Sequence, residues 1–183
     1  MKHGPRFALR DATAGCHERV DAAFGRFDLA DRAGYGRFLS AHARAFLPAE
    51  AVLDAADTET VLPDWSSRRR ADRLRTDMAV LEIAVPPPLA LPPPDNPAAI
   101  WGMLYVLEGS RLGGAMLSRR IDPRFPKKYL NSDQNGADWR NFLRQLEVSL
   151  DYAAALAAAT IAAETLFALF EQAAWLEWEA ATE

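Results

Sequence analysis

Few side chains in this sequence can do chemistry, because it holds three histidines and one cysteine. His3 falls in the N-terminal tail, and His42 lies on an apolar row with Tyr35, Phe38, Leu39 and Phe46, where a hydrogen-bonded core histidine is the ordinary reading. His17 differs. It stands one step off the row Leu9, Cys16, Val20 and Phe24, so a helix would hold its ring at the rim of the core. A neutral imidazole there can ligate a metal, or simply sit at the surface. Cys16 projects about 100° away around the same helix, so the two residues do not share one ion. It reads as a small apolar residue in the core row. One cysteine also excludes a disulfide framework and any multi-cysteine zinc or iron–sulfur site. The inward Glu-x-x-His pairs of a di-iron carboxylate site are missing as well.

The second unusual feature is the segment IWGMLYVLEGSRLGGAMLSRRI at 100–121, apolar and helical in period yet holding Gly102, Gly109, Gly113 and Gly114. Each interior glycine costs roughly 0.5–1 kcal/mol against alanine, so a sequence that keeps them needs the missing side chains for room. Gly109 and Gly113 share one face and Gly114 sits beside them. Such a face lets a flat ligand approach the backbone, or lets another helix pack closely; the residue types alone leave both open. Adjacent glycines are also a place for a kink.

These residues need helices to position them, and the apolar pattern is helical almost throughout. A first helix carries Leu9 to Phe27. Asp31 can cap a second, and Ser66 or Ser67 can begin a third with Leu74, Met78 and Leu81 inward and a basic start at Arg68, Arg69 and Arg70. Residues 86–97 are proline-rich and read as a stiff surface connector. Asn96 then Pro97 is a helix start, cap followed by N1 proline, for the glycine helix to about Arg120. After a loop around Asn131, Asn135 and Gly136, two helices are expected at about 138–156 and 158–178. Convincing period-2 alternation is absent. The expected fold is one all-α domain over 1–183, with about six helices.

Composition agrees. Half the residues are apolar and a quarter charged over 183 residues, which supports one packed globular domain and excludes a disordered or fibrous class. The net charge of −4 disfavours a general nucleic-acid binder. All 21 basic residues lie before position 145, and seven acids follow it, so a basic front faces an acidic tail. With no run near 18 apolar residues and no signal core, a cytoplasmic chain independent of membranes is expected.

Taken together, LRDATAGCHERVDAAFGRFDL at 9–29 and LYVLEGSRLGG at 104–114 resemble bacterial haem oxygenases, particularly those that supply biliverdin to bacteriophytochromes. Weaker agreement runs through RFPKKYL (124–130), GADWRNFLRQLE (136–147) and ETLFALFEQAAWL (164–176). The resemblance implies a helical bundle holding haem, as substrate and prosthetic group, between a proximal and a kinked distal helix. It implies His17 as axial iron ligand, with Gly109, Ser110, Gly113 and Gly114 on the distal face. Propionates would meet Arg10, Tyr105, Arg140 and Arg144, with Lys127 and Lys128 as lesser candidates. The implied reaction uses O2 and an external ferredoxin- or reductase-type electron donor to open haem to biliverdin, CO and iron. A bacteriophytochrome would be the biliverdin acceptor. One departure stands out: animal enzymes carry an aspartate where this chain has Ser110, so its proton route must differ, with Ser110 and ordered water as candidates. A haem or bilin carrier of the same fold is the second reading.

Overall fold

The computed structural model describes residues 4–131 and 136–180, so His3 and Asn135 lie outside it. Its helices are α1 (Pro5–Phe24), α2 (Arg32–Ala55), α3 (Trp65–Arg68), α4 (Ala71–Val80), α5 (Pro97–Leu117), α6 (Gly136–Ser149) and α7 (Ala153–Glu179), and no strand occurs among the described residues. Two caps are where the sequence puts them. Asp31 accepts from the Gly34 N–H at 2.8 Å, and Asn96 from the Ala99 N–H at 2.9 Å.

α7 is the centre of the bundle. α1, α2 and α5 all pack against it, and its inner face is lined by Ala155, Ala159, Ala163, Leu166, Phe170 and Ala173. By length and composition α7 is also apolar enough to cross a membrane, a feature the run-length reading does not anticipate. Here that apolarity serves burial against three neighbours. The alanines let α5 approach closely: a Cβ on Gly102 would collide with the Ala159 carbonyl, so the two backbones touch at this crossing. Gly102 therefore owes its place to helix packing.

The connector is docked more firmly than proline content alone indicates. Pro48 lies inside α2 and cannot donate to the Arg44 carbonyl one turn earlier. The Leu89 N–H from the connector fills that vacancy at 2.9 Å, and the Arg44 side chain reaches the Pro87 carbonyl at 3.1 Å and Glu177 of α7 at 2.5 Å. One proline thus creates the acceptor that fixes the proline-rich segment.

Three boundaries differ from the expected ones, the first being that of α1, which ends at Phe24 and leaves Phe27 beyond it. The third helix is really α3 and α4, separated at Arg69 and Arg70, because the Glu50 carboxylate takes the backbone N–H groups of Arg70 and Ala71 at 2.6 and 2.9 Å. Glu50 thereby caps α4 from α2, a contact between residues 20 positions apart in sequence. Likewise α6 ends before buried Leu150, and the alanine run belongs wholly to α7, where it meets α5.

His42 is a core residue, as its row implies. Its ring lies 4.3 Å from Phe38, 4.5 Å from Phe24, 5.4 Å from Tyr129 and 5.7 Å from Phe170, centre to centre. Burial, with a smaller push from the Arg70 cation, lowers its pKa from 6.5 to about 3. The folded protein thus keeps neutral a ring that the unfolded chain protonates below pH 6.5. That stability is complete above pH 6.5 and is lost as pH falls toward 3, at up to ~1.4 kcal/mol per pH unit. In urea titrations, His42→Phe should flatten the decline between pH 6.5 and 4.5; an unchanged slope would assign the loss to other groups.

Candidate functional site

α1 and α5 pack extensively on α7 and scarcely on each other, so they stand as two walls over one floor. Tyr105 of α5 comes near Thr13 of α1, whose hydroxyl donates to the Leu9 carbonyl at 2.8 Å. Burial raises the Tyr105 phenol above its ordinary pKa. Four residues further along each helix, one turn on, come His17 and Gly109.

His17 projects from the wall, its side chain 63% exposed, with its ring edge-on to Phe167 of the floor at 5.9 Å. Nδ1 lies 3.0 Å from an Asp21 carboxylate oxygen one turn later. In the neutral ring this arrangement makes Nδ1 the protonated nitrogen and leaves Nε2 with its lone pair outward, the state a metal needs. Asp21 escapes a reading that looks only for ligands; its signal is the i,i+4 spacing from His17. Cys16 is half-buried against the core and 3.4 Å from Arg19, in keeping with its place in the apolar row.

The glycines of α5 have unlike surroundings. A Cβ on Gly114 would lie 3.3 Å from Leu130, so this residue faces the bundle and not the gap. A Cβ on Gly109 would meet only the edge of Trp139, at 3.8 Å. On Gly113 it would meet nothing within 4 Å. Large apolar neighbours on the Gly113 side are bare: Leu112 is 45% exposed and Met116 72%. Trp139 of α6 stacks on Phe142 at 5.5 Å and closes the Gly109 end. α5 runs as one helix from Pro97 to Leu117.

Ser110 is held from behind. Its hydroxyl donates to the Leu107 carbonyl at 2.6 Å and accepts from Arg70 at 2.8 Å. Both hydrogen bonds join it to groups on the buried side of α5. Beside it, buried Glu108 bridges Arg68 at 2.6 Å and Arg111 at 2.9 Å, and Arg111 also donates to the Arg68 carbonyl. In the basic start that the sequence gives the third helix, Arg68 and Arg70 are buried, at 8% and 3% exposure.

The predicted anion-binding arginines are all on the surface. Arg10 pairs with its neighbour Asp11 at 2.8 Å, Arg144 donates to Asn141 at 3.1 Å, and Arg140 is exposed. α6 carries the last two and packs against both walls, with Trp139 near Gly109 and Glu147 3.2 Å from Arg6 of α1. Lys127 turns instead to the Ser118 carbonyl, 3.5 Å away.

The bundle as a whole matches the haem oxygenase fold. The chain superposes with a TM-score of 0.83 on the NO- and CO-bound haem oxygenase from Neisseria meningitidis, covering 96% of this chain and 92% of that one at 22% identity. No family model matches. It is 38% identical over 146 residues to a haem oxygenase from Xanthomonas campestris pv. campestris (strain 8004), spanning 74% of this chain and 86% of that protein. The chain belongs to the haem oxygenase family.

The contrast between the glycines can be measured without any ligand. Gly113→Ala adds a methyl to open space and a better helix former, so stability should rise by ~0.5–1 kcal/mol. Gly102→Ala forces two backbones apart and should cost ~2–3 kcal/mol. Equal losses at both positions in urea denaturation would contradict the open face at Gly113.

Proposed function

We propose that this chain opens haem to biliverdin, CO and iron, with O2 and electrons from an external ferredoxin- or reductase-type donor, and that the gap between α1 and α5 is where it does so. The observation that carries the reading is Gly113: a glycine kept in a helix interior at a cost, with no protein atom where its side chain would be. Close packing accounts for Gly102 and Gly114. It does not account for Gly113, whereas a flat ligand laid against the helix does.

The residues present suit haem. His17 would be the axial ligand through Nε2, its ring oriented by Asp21 in the carboxylate–histidine–metal arrangement, which also raises the basicity of the ligating nitrogen. Gly109 and Gly113 would let the α5 backbone approach the opposite haem face, while Trp139 limits how far the ligand slides toward the Gly109 end. Phe167, Leu112 and Met116 would shed water against the macrocycle. Arg10, Arg140 and Arg144 would meet the propionates, with Tyr105, which lies near Arg10 and Thr13, beside them. Bound haem supplies both the iron that activates O2 and the ring that is oxidised. A neutral imidazole ligand, in place of a thiolate, disfavours O–O cleavage toward P450-type chemistry. Ser110, its proton donated to Leu107, would fix the α5 backbone over the substrate and leave proton delivery to water in the open gap.

The finer assignment follows the motifs at 9–29 and 104–114: the biliverdin goes to a bacteriophytochrome, and the work is cytoplasmic, where reduced ferredoxins and reductases are at hand.

The deciding experiment titrates the purified protein with hemin, then adds ascorbate in air. A one-to-one Soret band that gives way to biliverdin absorption is expected; a band that survives reduction would make the chain a carrier. His17→Ala should lose the histidine-ligated spectrum and turnover, and Asp21→Asn should weaken haem binding by ~10-fold or more. An unchanged ferric and CO-bound spectrum in His17→Ala would refute the ligand assignment. Gly113→Leu should fold normally and lose turnover or change its product, and wild-type kinetics with wild-type product would refute the distal-face reading.

A further inference from the structure

Arg70 is a buried cation without a matching anion on its guanidinium. At 3% exposure, its Nη2 donates to the Leu107 carbonyl and to Ser110 Oγ, both at 2.8 Å, and its plane lies over the rings of Phe46 (4.7 Å) and Tyr129 (5.3 Å). Nε is buried with no partner. Glu50 sits close but spends its two oxygens on the backbone N–H groups of Arg70 and Ala71. Burying an arginine this way is expensive, and a methionine of similar length would fill the space among those rings at lower cost. Nearby Arg68 shows the usual solution: it bonds both Asp64 (2.7 Å) and Glu108 (2.6 Å). What Arg70 obtains in exchange is a hold on one turn of α5. The Leu107 carbonyl, whose helical partner is the Arg111 N–H, receives two further donors, Arg70 Nη2 and Ser110 Oγ. That turn runs from Leu107 to Arg111, contains Gly109 and leads into Gly113.

Glycines loosen a helix where they occur, and no side chain at 109 or 113 braces this stretch from the gap. We infer that Arg70, acting through Ser110 and the Leu107 carbonyl, is a positioning residue that fixes the Gly109–Gly113 turn from behind, and so determines which edge of the haem ring is oxidised. The inference rests on the proposed function for its second half only; the first half concerns the protein without haem. A charged donor is stronger than a neutral one and spans both acceptors from one nitrogen, so the hold depends on the cation as well as the side-chain volume. Arg70 reaches the turn from the buried side of α5, which leaves the gap clear for the ligand.

The test uses Arg70→Lys, Arg70→Met and Ser110→Ala in the full chain, with Leu53→Ala, a fully buried core truncation, as a control for general destabilisation. Hydrogen exchange of the haem-free proteins should show protection across 107–114 falling by ~10-fold or more in Arg70→Met and Ser110→Ala, and less in Arg70→Lys. Leu53→Ala should not single out this segment. With hemin and ascorbate, the ratio of biliverdin isomers should shift in Arg70→Met and Ser110→Ala, be partly restored in Arg70→Lys, and stay wild-type in Leu53→Ala. Ser110→Ala keeps the inference testable if Arg70→Met does not fold. Unchanged exchange across 107–114 in a folded Ser110→Ala overturns the hold, and wild-type isomer ratios in both Ser110→Ala and Arg70→Lys overturn its consequence for the ring. Failure of the wild-type protein to make biliverdin would instead refute the proposed function, and the exchange result alone would then decide whether Arg70 positions the turn.

Discussion

The gap between α1 and α5 depends on how closely α5 lies on α7. At Gly102 and Ala159 there is no side chain between the two helices, only backbone against backbone. That contact presses one end of α5 onto the central helix, while α1 is held on the same helix by its own apolar row. Because both walls rest on a shared floor, their separation is governed by the bundle and needs no direct contact between them. Tyr105 and Thr13 come near each other one turn before the histidine and the first open glycine. The site proposed here, from the exposed ring of His17 to the bare face at Gly113, rests on this arrangement.

The four glycines of α5 show how one residue type serves opposite ends within one helix. Gly102 removes a side chain so that protein can approach protein, and Gly114 accommodates Leu130. Gly113 keeps a space empty of protein. The energetic penalty for helix formation is similar at each, yet only at the first two does packing offset it. Packing leaves the cost at Gly113 without an offset, which is why the proposed function rests on that one open Cβ position and not on the count of glycines.

Behind α5 the protein spends charge where apolar packing would be cheaper. Glu108 with Arg68 and Arg111, and Arg70 with Ser110, form two buried polar assemblies on the side of the helix away from the gap. Polar groups buried this way must find partners, and partners with fixed directions specify one placement of a helix better than apolar contacts do. A helix weakened by glycines on one face is thereby braced on the other. The same logic explains the connector: Pro48 frees the Arg44 carbonyl, and Leu89 takes it.

Much of this was legible in the residues themselves. Helix periodicity, the Asp31 and Asn96 caps, the proline connector, the core place of His42 and the rim place of His17 all follow from forces acting within a few residues, which the local sequence contains. The cap of α4 by Glu50, the burial of Arg68 and Arg70, and the end of α6 before the alanine run do not, because their causes lie on other helices. Nothing within the arginine run signals burial; its partners, a buried glutamate, a carbonyl and a hydroxyl among them, come from 20 to 40 residues away. The sequence by itself determined that a glycine-bearing helix and a rim histidine would exist. Only the tertiary structure decided which glycines face protein and which face open space, since a missing side chain acquires a purpose only from what stands opposite it.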